Sequence, residues 1–172
     1  IQIGSETNWS AISADGALTF ALKTDGSLWA WGENYLGVGV EFARNSPTQI
    51  GIETNWSAIS NGGSGFALKT DGTLWAWGSN YDGQLGDGTN TNRVNPTKIG
   101  SETNWSAIYP GSGMTFALKN DGTLWAWGTN YYGQLGDGTE NDRNSPIQIG
   151  FETNWSAIAA SGRHVVAIQH HE

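Results

Sequence analysis

Apolar and polar positions alternate along this chain in short runs, and the runs recur. Leu28-Trp29-Ala30-Trp31-Gly32 sets two indoles on one side of an extended segment and Leu28 and Ala30 on the other. That is the two-residue period of a strand with both faces covered. Phe20-Ala21-Leu22-Lys23 precedes it, with Asp25-Gly26 between the two runs. Asp-Gly between apolar runs predicts a β-hairpin closed by a two-residue type I′ turn. Trp9-Ser10-Ala11-Ile12 is a shorter strand candidate in which Trp and Ala oppose Ser and Ile. Pro47-Thr48-Gln49-Ile50 opens on proline, which suits an outer strand with one donor fewer to satisfy. No window shows a helical period, so the pattern predicts an all-β chain.

The four segments return together. The tryptophan of Asn-Trp-Ser-Ala-Ile stands at 9, 56, 105 and 155, in steps of 47, 49 and 50. Leu-Trp-Ala-Trp-Gly starts at Leu28, Leu74 and Leu124; Phe-Ala-Leu-Lys starts at Phe20, Phe66 and Phe116 and becomes Val-Ala-Ile-Gln at Val166. Arg44, Arg93 and Arg143 keep the period, as do Pro47, Pro96 and Pro146. Four antiparallel strands per unit of this length are the arithmetic of β-propeller blades. The 172 residues read as one propeller part-domain, with units at about 5–51, 52–100, 101–150 and a partial one at 151–172. Ile1–Gly4 reads as an outermost strand, and the last unit holds only its first two strands, so the chain carries about 3.5 blades. Either it is a segment of a longer chain, or further copies complete a ring or stack. All ten tryptophans (Trp9, Trp29, Trp31, Trp56, Trp75, Trp77, Trp105, Trp125, Trp127, Trp155) lie in repeated phrases and read as packing anchors.

Composition narrows the function classes. A net charge of −8, with 8 scattered basic residues, argues against an electrostatic grip on nucleic acid or anionic membrane. The absence of cysteine removes thiol nucleophiles, disulfides and cysteine metal sites. No apolar run is long enough to span a bilayer, and the first ten residues lack the regions of a signal peptide. Low charge and abundant Gly, Asn, Thr and Trp set the expectation of an extracellular or cell-surface location.

The stretch from Ala67 to Pro96, with its twin from Ala117 to Pro146, carries Trp-Gly-x-Asn followed by Gly-Gln-Leu-Gly-Asp-Gly-Thr. It closely resembles bacterial-type repeats of the regulator of chromosome condensation family. The resemblance covers essentially the whole chain. It implies a β-propeller, commonly seven-bladed with four-stranded blades, of which this chain would form half. It also implies work by protein binding; the founding member exchanges nucleotide on a small GTPase and docks on chromatin. The first unit departs from the pattern, with Tyr35-Leu36-Gly37-Val38-Gly39 in place of the Gly-Gln-Leu-Gly-Asp-Gly-Thr phrase. Only the last unit keeps a histidine, His164, before its second strand. Both departures weigh against exchange-factor activity.

Candidate chemistry is sparse. Asp87 and Asp137 lie in Gly/Asn-rich loops, yet their spacing matches no calcium loop and fits turn-forming side chains better. His164, His170 and His171 cluster at the chain end, where ligands would be poorly fixed. The four Asn-Trp-Ser triplets match the glycosylation pattern but are one phrase copied. No nucleophile–base pair stands out. Uniformly placed tryptophans fit packing better than light sensing. The expectation is no metal, no cofactor and no enzyme activity.

Two sets of loops behave differently. The Asp-Gly turns and Glu-Thr-Asn corners are nearly identical between units. The loops Ser13–Leu18, Ser60–Gly65, Tyr109–Met114 and Ala159–His164 differ in every unit, and so do the long loops after Leu-Trp-Ala-Trp-Gly. Alternating strand direction puts both variable sets on one face. The predicted contact residues there are Tyr35, Phe42, Tyr81, Asp82, Tyr109, Met114, Tyr131, Tyr132, Arg163 and His164. The sequence reads as a non-catalytic interaction module that binds a protein or glycan partner through this face. The alternative is a structural protein whose half-propellers self-associate, and an exchange factor or enzyme ranks below both.

Overall fold

The computed structural model describes residues 3–33, 37–39, 43–161 and 164–169. Among them there is no helix. The first blade runs β1 (Trp9–Asp15), β2 (Leu18–Lys23), β3 (Leu28–Gly32) and β4 (Arg44–Gln49). The second is β5 (Trp56–Asn61), β6 (Ser64–Lys69), β7 (Leu74–Gly78) and β8 (Arg93–Lys98). The third is β9 (Trp105–Pro110), β10 (Met114–Lys119), β11 (Leu124–Gly128) and β12 (Arg143–Ile149), and β13 (Trp155–Ser161) with β14 (His164–Gln169) forms part of a fourth. Each blade is an antiparallel meander in chain order, and the first strands β1, β5, β9 and β13 pack against one another in succession. This is a β-propeller arc. Ile3 and Gly4 lie outside any strand, contrary to the expected strand at Ile1–Gly4, whose first two residues are outside the described set.

The two faces of each blade meet different neighbours. Phe20, Leu22, Leu28, Ala30 and Ile50 of the first blade pack on Trp56, Ala67 and Trp77 of the second. The same junction recurs between the second and third blades. Phe20 meets the edge of Trp77 with ring centres 5.2 Å apart. One face of each of the first three blades thus carries Phe, Leu and Ala and the other carries the indoles, as the alternation in Leu-Trp-Ala-Trp-Gly requires. Ile12 of the first blade is 70% exposed, whereas Ile158, at the same position in the last unit and packed against the third blade, is 7% exposed.

Three local expectations change. The Asp-Gly hairpins are not two-residue turns. Leu22 pairs with Leu28, the Gly26 N–H donates to the Lys23 carbonyl at 2.9 Å and the Lys23 N–H donates to the Ser27 carbonyl at 3.1 Å. This is a three-residue loop closed by a glycine bulge, with Gly26 at φ +77°. The outer strands begin at arginine rather than proline, because a bulge between Ala30 and Gly32 places Pro47 mid-strand.

The third change concerns Asn-Trp-Ser-Ala-Ile. A bulge between Trp56 and Ala58 breaks the alternation, so Trp56 and Ile59 share the face toward the first blade, while Ala58 turns to the third. The serine explains itself at this bulge. Ser10, Ser57 and Ser106 hydroxyls donate to the carbonyls of Leu22, Leu68 and Leu118 at 3.1, 3.1 and 3.0 Å, compensating the disrupted ladder.

Candidate binding face

The near-identical turns are consumed in joining blades. The Gly26 carbonyl accepts the Trp56 N–H at 3.2 Å, and Gly72 and Gly122 accept those of Trp105 and Trp155 at 3.2 and 3.3 Å. A Cβ on Gly26, Gly72 or Gly122 would collide with the carbonyl of Thr54, Thr103 or Thr153. Asp25 Oδ1 accepts the backbone N–H and hydroxyl of Ser27, and Ser27 Oγ accepts the Trp29 indole N–H at 2.8 Å. The hydrogen bonds from Ser27 hold the Asp25 carboxyl below its ordinary range.

Beneath each turn lies a cluster that sequence reading missed. Lys23, Lys69 and Lys119 are 5–6% exposed and pair with Glu6, Glu53 and Glu102 at 2.8, 2.7 and 2.7 Å. Each ammonium also sits over an indole, 3.7 Å from Trp29, 4.0 Å from Trp75 and 3.5 Å from Trp125. Trp9, Trp56 and Trp105 meet those indoles edge-on at 5.9, 5.8 and 5.8 Å. Burial of a lysine is tolerable when its charge is compensated by a carboxylate and by the negative ring faces. The signal was present: Glu and Lys recur with the same period as the tryptophans. In the last unit Gln169 replaces the lysine and donates to Asn154 Oδ1 at 2.7 Å.

The variable loops gather on the other face. Asn61 Nδ2 donates to the Leu18 carbonyl across a blade junction at 3.0 Å. Gly62 abuts Pro110, and Asp82 of the second blade's long loop reaches Gly113 of the third. Asp15, Asn61, Gly62, Pro110, Ser112 and Ala160 line a depression of about 340 Å³ where four of these loops converge.

The second and third long loops are each braced around one buried asparagine. Asn80 is fully buried; its amide donates to Asp87 Oδ1 and to the Thr89 and Thr91 carbonyls, and its Oδ1 accepts the Leu85 N–H at 2.9 Å. Asn130 does the same with Asp137, Thr139 and Leu135. Asp87 pairs with Arg93, and Asp137 with Arg143. Burial raises the Asp137 pKa, but hydrogen bonds from Arg143, Thr139 and Asn130 outweigh it and hold the group at about 2. These aspartates are loop braces. Among the described residues no group of three or more metal-ligating side chains occurs.

The predicted contact residues divide. Tyr81, Tyr131 and Tyr132 are 73%, 71% and 62% exposed, and Asp82 and His164 are exposed. Met114 is fully buried, packed among Phe116, Leu118 and Ile158 at the third junction, and Tyr109 packs half-buried against the same cluster. Those two are scaffold, because the first residue of β10 already points inward. Tyr35, Phe42 and Arg163 lie outside the described residues. Of the ten tryptophans, Trp56, Trp77, Trp105 and Trp127 are buried, and the other six are half-buried.

An arc of four-stranded blades with one variable loop face defines a propeller-type repeat scaffold. Residues 71–118 and 121–168 match the Regulator of chromosome condensation (RCC1) repeat, and the chain belongs to that family. Sequence comparison with curated proteins gives no match. Among solved structures, human WBSCR16 is 24% identical with a TM-score of 0.79, over 95% of this chain and 45% of that one. Prp20p of Saccharomyces cerevisiae, in a structure described with its binding properties to Gsp1p and histones, is 20% identical with a TM-score of 0.83, over 98% of this chain and 45% of that one. Yeast RCC1 (Prp20) bound to Kap60 is 22% identical with a TM-score of 0.82, over 98% of this chain and 43% of that one. The chain therefore spans less than half the length of these structures, which share its fold.

Proposed function

We propose that this chain is a non-catalytic interaction module that binds a protein partner through its variable loop face. One observation carries the reading. The repeated turns are occupied in latching blade to blade, whereas the loops that differ between units are braced from below and present Tyr81, Tyr131 and Tyr132 to solvent. Exposed tyrosines on a braced support are favourable contact groups, because little conformational freedom is lost when they are covered. That Prp20 binds proteins on the same fold supports a macromolecular partner.

The test is capture of partners from the native source by the wild-type chain and two variants. The triple variant Tyr81→Ala/Tyr131→Ala/Tyr132→Ala should lose the partners that wild type retains. A turn-face variant, Thr24→Ala/Thr70→Ala, should keep them. Equal retention by all three overturns the reading. In the assembly reading, further copies of the chain would cover the exposed Ile12 and Val166. A molecular mass that stays monomeric as concentration rises excludes it.

A further inference from the structure

Asn61 is the only asparagine of the chain followed by glycine, and the fold requires both residues. Asn61 Nδ2 donates to the Leu18 carbonyl of the first blade at 3.0 Å, and its Oδ1 accepts the Gly63 N–H at 3.2 Å. A Cβ on Gly62 would stand 2.8 Å from the Pro110 Cβ and 3.0 Å from the Pro110 carbonyl oxygen of the third blade, so no larger residue fits there. One dipeptide thus ties the second blade to both of its neighbours. Packing thereby demands a side-chain amide directly before the least hindered of backbone nitrogens.

Glycine has no Cβ to shield its nitrogen or to restrict its backbone, so an asparagine before it is open to intramolecular attack. The Gly62 nitrogen bonds to Asn61 Cγ as the Cγ–Nδ2 bond breaks, and Nδ2 leaves as ammonia with the proton that Gly62 gives up. Water then opens the five-membered imide at either carbonyl, leaving aspartate or isoaspartate. The step needs water alone and no oxidant or enzyme. Water has access, since Asn61 and Gly62 are half-buried and Gly63 is exposed, and all three line the depression on the loop face. The Gly62 N–H donates to the Ser64 carbonyl at 3.3 Å, so attack waits for this loop to open locally. The product cannot remake the junction. A carboxylate has no proton for the Leu18 carbonyl and sets a further negative charge beside it, and isoaspartate also lengthens the backbone by a methylene where Gly62 meets Pro110.

We propose that Asn61–Gly62 is a spontaneous modification site, at which loss of the side-chain amide as ammonia releases the second blade from the first on the loop face. The site is independent of what docks on that face. It gives the protein an age mark in the form of a new carboxylate in the loop-face depression.

The experiment incubates the folded chain, the chain in urea and the peptide Ser-Asn-Gly-Gly-Ser in mildly alkaline buffer, and follows conversion of amide to acid by peptide mass spectrometry. The folded chain should convert at Asn61 ahead of every other asparagine, about tenfold more slowly than the peptide, and the chain in urea should match the peptide. Asn61→Gln, whose longer side chain closes a six-membered ring far less readily, should not convert at that position. Amide hydrogen exchange in β2 and β5 should be faster in the aged chain and in Asn61→Asp than in the fresh chain, and ageing should leave it unchanged in Asn61→Gln. No conversion at Asn61 in the folded chain by the time the peptide has converted, or conversion led by another asparagine, overturns the site. Conversion of the aged chain with unchanged exchange in β2 and β5 overturns the release of the blade.

Discussion

The backbone N–H of Trp105 donates to the Gly72 carbonyl, one blade earlier in the chain, at 3.2 Å. This bond fixes each Asn-Trp-Ser-Ala-Ile strand to the preceding Asp-Gly loop, and it leaves no room for a side chain on the glycine. Gly72 and Gly100 both have positive φ, 75° and 63°, but a Cβ on Gly100 meets nothing. Alanine at either position should cost about 1–2 kcal/mol of backbone strain, and Gly72→Ala should cost roughly 2 kcal/mol more through the collision with Thr103. Urea denaturation of the two variants measures the difference, and equal midpoints would contradict the latch.

The lysine boxes predict an asymmetric pair of substitutions. Lys69→Met keeps the stem between Trp56 and Trp75 but removes the charge that both rings and Glu53 attract; it should cost about 1–2 kcal/mol. Glu53 is 49% exposed on its side chain, so Glu53→Gln should cost under about 1 kcal/mol. A double-mutant cycle should show that most of the lysine's contribution survives loss of the glutamate. Full coupling of the two would mean that the rings contribute nothing.

Acid stability should report on the long-loop brace. Asp137 titrates at about 2 in the folded chain, below its ordinary 3.8. A depressed folded pKa gives stability that is whole above about pH 4 and is lost as pH falls toward 2. Asp87 is depressed in the same direction, its bonds from Thr89 and Arg93 outweighing its burial. Asp137→Asn should lower the unfolding midpoint at neutral pH and flatten its fall between pH 4 and 2. An unchanged slope would remove Asp137 from the acid response.

Two equivalent tryptophans should differ. Trp127 Nε1 donates to the Gln84 carbonyl at 2.7 Å, and Trp77 Nε1 finds no acceptor among the described residues. Both rings are fully buried, so phenylalanine leaves a similar cavity in each case. Trp127→Phe should therefore be the more destabilising by about 1 kcal/mol, as read from paired thermal or urea melts. The reverse order would assign the difference to packing.

Much of the blade was legible because its pattern is simple. Trp29 and Trp31 against Leu28 and Ala30 named both faces of β3 before any coordinates. What escaped depends on hydrogen bonds that residue patterning does not register. The bulge at Ser57 swaps Ile59 to the tryptophan side, and alternation alone cannot place a bulge. Asp-Gly signals two hairpin families, and the contact with Thr54 rather than the dipeptide selects the longer loop. Met114 sits in a variable stretch yet points inward, because divergence marks a loop's boundary less sharply than burial does. Asn80 and Asn130 hid among many loop asparagines; only their full burial shows that they organise the loop. The three tyrosines were legible as candidates, but their exposure required the structure.

The latch of each described junction is written in residues that the units share: a turn carbonyl and a Phe/Leu/Ala face toward the following unit, a tryptophan amide and indole face toward the preceding one. Units of this kind are interchangeable links. An in-frame duplication cut at a Glu-Thr-Asn corner adds a link already fitted to both neighbours, so a gene of this type can lengthen its array in a single recombination without inventing a new interface.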